Sequence, residues 1–163
     1  MPVEGPNESI PYMQRTRNYY RALGYNNDYV WAHHSETPFT RPAKPLRDLR
    51  VALISTAGPA DDSNRDERNR RQVWSGEVAS NPRSFITDMA WDRESTHTDD
   101  RETFLPIDAV KRLVAEGFVG NLATRFHGAA TDYSHQKTNE TDAPEILRRL
   151  RDEKVDAALL TAL

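Results

Sequence analysis

Arg50-Val-Ala-Leu-Ile-Ser-Thr-Ala-Gly58 is a short apolar run that closes on small side chains and a glycine. Unbroken apolar runs of this length fit a strand covered on both faces, as in a parallel sheet, better than the alternating pattern of a half-exposed strand. A second run of the same kind, Val155-Asp-Ala-Ala-Leu-Leu-Thr-Ala-Leu163, stands far downstream. Between the two lie helical patterns. Pro106 suits the first turn of a helix, Ile107, Val110, Leu113 and Val114 fall on one face, and Gly117 marks its end. Asp142 with Glu145 three residues on predicts a capping box that opens a last helix, with Ile146, Leu147 and Leu150 as its apolar face. Shorter strands are expected within 83–88 and 118–123.

Strand, helix, strand in this order predicts an α/β fold: a small parallel sheet with flanking helices and a right-handed crossover. Two clear strands are few for a free-standing sheet, so completion by a partner chain is part of the expectation. Upstream, residues 1–9 read as a flexible tail. Tyr12, Thr16, Tyr19, Tyr20 and Leu23 then recur at helical spacing up to Gly24. From 26 to 46 the chain is an extended aromatic arm, punctuated by Pro38, Pro42 and Pro45 and carrying Tyr29, Trp31 and Phe39. Residues 59–83 form a charged surface excursion, because 61–71 holds eight charged residues among eleven and none that is apolar. A length of 163 residues suits one domain, read here as 10–163.

Composition excludes several functions. With 22 basic and 25 acidic residues the net charge is −3, so no basic excess serves nucleic-acid phosphates. No run has the length to span a bilayer, and Met1-Pro2-Val3-Glu4-Gly5 has no signal-peptide pattern, so the cytoplasm is the expected compartment. Cysteine is absent, which removes disulfides, thiolate–metal sites and thiol nucleophiles from these residues.

Five phrases in succession resemble one family: 12–25, the arm and first strand (Trp31-Ala-His, Pro38-Phe-Thr, Lys44-Pro-Leu and 50–58), Thr103-Phe-Leu-Pro-Ile-Asp-Ala-Val-Lys-Arg-Leu-Val-Ala-Glu-Gly117, Ala143-Pro-Glu-Ile-Leu-Arg-Arg-Leu, and Val155-Asp-Ala-Ala-Leu-Leu-Thr. Together they are similar to the N-terminal part of the selenoprotein B family of glycine, sarcosine, betaine and D-proline reductases. The resemblance implies reductive cleavage of a carbon–nitrogen bond in a small amine or amino-acid-like substrate, through a cysteine or selenocysteine nucleophile. That nucleophile follows the strand which 155–163 resembles. No residue here supplies it, so the resemblance implies a second polypeptide carrying Cys or selenocysteine. The segment before Thr103 is shorter than the family's, and 59–83 matches none of its phrases.

Candidate substrate-binding residues follow from position and chemistry. His97 and Asp99, with Asp100, stand in a polar loop and suit proton transfer or metal binding; ordinary turn chemistry is the alternative. Arg125 and His127 follow the short strand expected to end at Ala123, at the functional edge of an α/β sheet, where an arginine suits a carboxylate. Gly128-Ala-Ala130 beside them permits close approach of a ligand; a solvated structural loop is the other reading. Ser55 and Thr56 close the first strand and offer hydroxyls to an anion. His33 and His34 diverge in extended backbone and fit packing or the surface better than one metal. No nucleotide-binding glycine motif occurs, and the cofactor is unknown. Three readings remain: a subunit of a heteromeric reductase, a non-catalytic accessory or interaction module, and a metal-dependent lyase or hydrolase using a His/Asp site.

Overall fold

The computed structural model describes residues 10–28, 30, 33–38, 40–87, 98–130 and 134–163. The tail at 1–9, His97 and the arm's Tyr29, Trp31 and Phe39 lie outside the described residues. The chain forms two compact units, Met1–Pro38 and Phe39–Leu163.

In the first unit the tyrosine pattern forms helix α1 (Tyr12–Ala22). Gly24 at φ +89° terminates it, a conformation open to a residue without a Cβ. Edge-to-face contacts link Tyr19, Tyr20 and Tyr25 at 5.6 and 5.8 Å. Arg21 pairs with Asp28 at 2.6 Å. No helix or strand occurs among the described residues of 26–45, in keeping with the expected arm.

The second unit is an α/β fold. Its elements in chain order are β1 (Arg50–Ser55), β2 (Gly58–Pro59), β3 (Trp74–Glu77), β4 (Phe85–Ile86), α2 (Ile107–Ala115), β5 (Asn121–Leu122), β6 (Arg125–Gly128), α3 (His135–Lys137), α4 (Ala143–Asp152) and β7 (Ala157–Thr161). β1 is central, buried from Val51 to Ser55 as its apolar run predicts. β7 pairs in parallel along one edge of it, from Val51↔Ala157 to Ser55↔Thr161. The other edge is shared by β5, opposite Arg50 and Val51, and β6, opposite Ile54 and Ser55, both parallel. β3 then adds antiparallel to β6. The sheet is thus parallel at its centre with one antiparallel edge strand, which is drawn from within 59–83. β2 and β4 make a separate antiparallel pair.

One face of the sheet and α2 enclose the main core of Leu53, Phe104, Leu105, Ile107, Val110 and Phe126, with Trp74 and Phe85 against it. Each of the large apolar side chains contributes about 2–3 kcal/mol by leaving water. The aromatic rings meet edge to face, Trp74–Phe126 at 5.4 Å and Phe85–Phe104 at 5.5 Å. Arg101 is 1 % exposed behind this core. It donates to Asn81 Oδ1 at 2.6 Å and the Pro82 carbonyl at 3.2 Å, and pairs with Glu102 and Asp108. Glu102 in turn caps α2 through the Asp108 and Ala109 amides.

Two local expectations are overturned. Asp142 does not cap the last helix. The chain already turns helically from His135, passes through a π-type turn at Thr138–Asp142 and enters α4 without a break. The Asp142 carboxylate instead takes Lys137 Nζ at 2.7 Å, and the N-cap is Ser134, which accepts from the Lys137 amide. β7 was expected to be buried; Leu159 and Leu160 are 44 % and 65 % exposed. Among the described residues no strand pairs with its outer edge, so neither leucine has a neighbouring strand on that side.

Candidate functional site

Three parallel strands end side by side. β1 runs out into Ser55-Thr-Ala-Gly58, β6 into Gly128-Ala-Ala130 and β7 into Thr161-Ala-Leu163. Ligands in open α/β sheets gather at this carboxyl edge. Its floor is tied by one backbone bond, Ala129 N–H to Ser55 O at 2.8 Å, and by one to a side chain, Leu163 N–H to Thr56 Oγ1 at 2.9 Å. Thr161 Oγ1 donates to Phe104 O at 2.6 Å, anchoring β7 to the core.

Trp74 stands over this edge. Its indole N–H donates to Ala57 O at 2.9 Å. The ring lies against Gly128 so closely that a Cβ there would meet Nε1 at 1.8 Å. Beside it a groove of about 400 Å³ is lined by Pro59, Asp61, Trp74, Arg83 and Phe85 among others. It presents a carboxylate, a guanidinium and two aromatic rings. Arg83 also pairs with Asp108 at 2.9 Å.

On the opposite face of the sheet, strand alternation turns Ser75 and His127 toward α4. His127 is fully buried, and its Nδ1 lies 2.8 Å from Ser75 Oγ. Arg149 Nη1 donates to the same oxygen at 2.8 Å, and Arg149 Nε binds Glu145 at 2.7 Å. Burial pushes the His127 imidazole below its ordinary range; Arg149 and Arg125 act the same way, against the pull of Glu153 and Glu145. Hydrogen bonds from Arg148 and Arg149 hold Glu145 at about 2.

Of the sequence candidates, His97 lies outside the described residues. Asp99 is exposed, two residues before the buried Arg101. Arg125 and His127 do follow a short strand, β5, but they lie within a further strand, β6, and not in a loop, a correction with a clear cause. Only Asn121–Leu122 pair upstream, and the chain re-enters the sheet at Arg125 so that Phe126 can fill the core. Arg125 pairs with Glu153 at 2.7 Å. Burial would raise the Glu153 carboxyl, but the bonds from Arg125 and Thr124 hold it below the usual range. Ser55 is buried and accepts from Ala57 N–H at 3.3 Å, while Thr56 is bonded to Leu163, so both hydroxyls close the strand ends. The structure brings Ser55, Thr56 and His127 to one region. Sequence reasoning missed Trp74, Ser75 and Arg149, since Trp74 and Ser75 follow a charged run that masks a strand and Arg149 sits on an otherwise ordinary helix. Among the described residues no three His, Asp or Glu side chains gather closely enough to hold a metal ion.

A sequence model of the glycine/sarcosine/betaine reductase selenoprotein B family matches residues 21–163. The chain belongs to that family. Within it, the D-proline reductase subunit gamma of Acetoanaerobium sticklandii is 36% identical over 135 residues, covering 77% of this chain and 52% of that protein. The glycine reductase complex component B subunit gamma of Symbiobacterium thermophilum is 22% identical over 150 residues, 85% of this chain and 34% of its own length. This selenoprotein B family chain therefore spans about half the length of one relative and a third of the other. No solved structure matches it. No described helix is long and apolar enough to cross a membrane.

Proposed function

We propose that this selenoprotein B family chain is one subunit of a reductase complex that cleaves the carbon–nitrogen bond of a small amine or amino acid, with the thiol or selenol supplied by a second polypeptide. One observation carries the reading: the selenoprotein B family model matches residues 21–163, and none of the residues matched is a cysteine. The relatives' names, subunit gamma in both cases, support membership of a multi-component enzyme.

The carboxyl edge is the proposed substrate platform. Asp61 and Arg83 beside Trp74 suit a zwitterion, the carboxylate facing the ammonium, the guanidinium facing the carboxylate and the indole flanking the cation. His97, Asp99 and Arg125 stay as candidate contacts, and His127, Ser55 and Thr56 are assigned a supporting role under the platform. The outer edge of β7 is the proposed seat of the second polypeptide. Ala157-Ala-Leu-Leu-Thr161 carries no charge, proline or bulge, the devices by which exposed edges avoid pairing. The compartment on this reading is the cytoplasm, where thiols stay reduced. A non-catalytic interaction module is the second reading, favoured by the same open edge.

The test is reconstitution. Amine release from glycine, sarcosine and betaine, and ring opening of D-proline, are measured with a dithiol donor, for the purified chain alone and with its co-purifying polypeptide. Turnover only in the second case supports the reading; turnover by the chain alone overturns it.

A further inference from the structure

A cavity of about 450 Å³ lies at the far end of β3 from Trp74, on the α2 face of the sheet. Its volume is that of a small-molecule site. The sheet is interrupted there. β3 leaves the ladder after Glu77 and folds into a short helical turn at Val78–Ser80, with a last bond from Val78 N–H to Thr124 O at 2.9 Å. Alongside β5, therefore, the sheet does not continue: among the described residues no strand pairs with its outer edge.

Three apolar side chains, Val78, Val114 and Leu122, wall the space. All three also belong to the main core or pack on it, which holds the walls in place. Lys111 lies one helical turn before Val114 and reaches over the cavity. Its ammonium donates to the Val78 carbonyl at 3.4 Å, a long bond, and among the described residues no carboxylate pairs with it. A second donor comes from the backbone. Asn121 N–H bonds to Leu49 O at 3.0 Å and Ala123 N–H to Val51 O at 2.8 Å, so both face β1. Strand geometry turns the Leu122 N–H between them the other way, to the open edge.

Among the described lining residues the only acid is Glu77. Its side chain follows Ser75 to the α4 face and sits opposite Arg125 in the register. Asp108, one turn before Lys111, is engaged by Arg101 and Arg83 at 2.8 and 2.9 Å. An anion in the cavity therefore meets two donors, whereas a cation meets the Lys111 ammonium. One ammonium balances one negative charge, and the apolar walls penalise a second charge of either sign.

We propose that this cavity is a binding site for a small monocarboxylate with a branched apolar body and no ammonium. Lys111 and the Leu122 amide hold the carboxylate, and Val78, Val114 and Leu122 cover the body. The site is separate from the substrate platform, which sits at the Trp74 end of β3, and its test involves no turnover.

The experiment titrates the full chain with isocaproate and follows backbone 1H–15N correlation spectra. Saturable shifts of the Val78 and Leu122 amides are expected, with a Kd of about 1 mM or tighter. L-Leucine, which adds an ammonium, and isocaproamide, which lacks the charge, should each bind at least about tenfold more weakly. Lys111→Met should weaken isocaproate to the same extent, while Lys111→Arg keeps the charge and should stay within about threefold. Lys111 is exposed, so both variants should keep the dispersed spectrum of the parent chain. Absence of saturable shifts at these amides, equal binding of leucine or the amide, or an affinity unmoved by Lys111→Met would overturn the site. The same shifts on concentrating the chain alone would also overturn it, since a second copy would then fill the groove.

Discussion

Gly128 lies directly beneath the Trp74 indole, with room there for hydrogen only: a Cβ would meet Nε1 at 1.8 Å and Cδ1 at 2.3 Å. The indole cannot yield easily, being packed on Phe126 and bonded to Ala57 O. Gly128→Ala should therefore destabilise the chain by about 1–3 kcal/mol, as overpacking does. In a Trp74→Ala background the same change should have almost no effect. A double-mutant cycle by urea denaturation reads the coupling; equal penalties in both backgrounds would contradict this contact.

Stability should depend on pH through His127. Its folded value lies below the ordinary one because burial disfavours the cation, so the unfolded chain binds the proton more readily. The contribution is present above the unfolded value of about 6.5 and is lost as the pH falls below it. Urea midpoints at about pH 7.5 and 5.5 should differ in the wild type, and less so in His127→Asn. An unchanged difference in the variant would assign the effect to other groups.

Arg101→Met should be the most damaging of the substitutions considered. It removes a guanidinium only 1 % exposed and leaves the Asn81 and Pro82 oxygens without their donor, while Asp108 keeps Arg83 and Glu102 keeps the α2 amides. Leaving buried acceptors unsatisfied costs about 1–3 kcal/mol, a sizeable part of a typical domain's stability. Lysine should not rescue it, because one ammonium cannot reach Asn81, Pro82, Glu102 and Asp108 together. Thermal melts of both variants decide the matter.

Leu160→Lys tests the proposed seat on β7. Leu160 is 65 % exposed, so the isolated chain should change by less than about 0.5 kcal/mol. A charged edge resists strand addition, and recovery of the co-purifying polypeptide on the tagged chain should drop sharply. Undiminished recovery would move the seat elsewhere.

Much of the fold was legible because its signals are local. β1 is an apolar run that reads as a covered strand, and β1 is buried from Val51 to Ser55. Ile107 and Val110 repeat at helical spacing, and Gly117 closes that helix at φ +77°. β3 was hidden, since Trp74–Glu77 follows a charged stretch and is recruited by packing across strands. Phe126 fits under Gly76, where a Cβ would meet it at 2.3 Å, and Trp74 fits over Gly128. The start of the last helix was misread for a related reason: Lys137 drew the Asp142 side chain away from any capping role.

By itself, then, the sequence determined the α/β class and the parallel centre of the sheet, because periodicity belongs to consecutive residues; its ordered phrases carried the family resemblance, and its composition the absence of cysteine from these 163 residues. The site was only partly fixed that way. Arg125 and His127 were flagged by position, yet the burial of His127 and the bonds that tie it through Ser75 to Arg149 arise from side chains 52 and 74 residues apart in the chain meeting across a sheet. Tertiary structure decided those, and with them which strand edge was left open, because burial and hydrogen bonding depend on which distant groups the fold brings within reach.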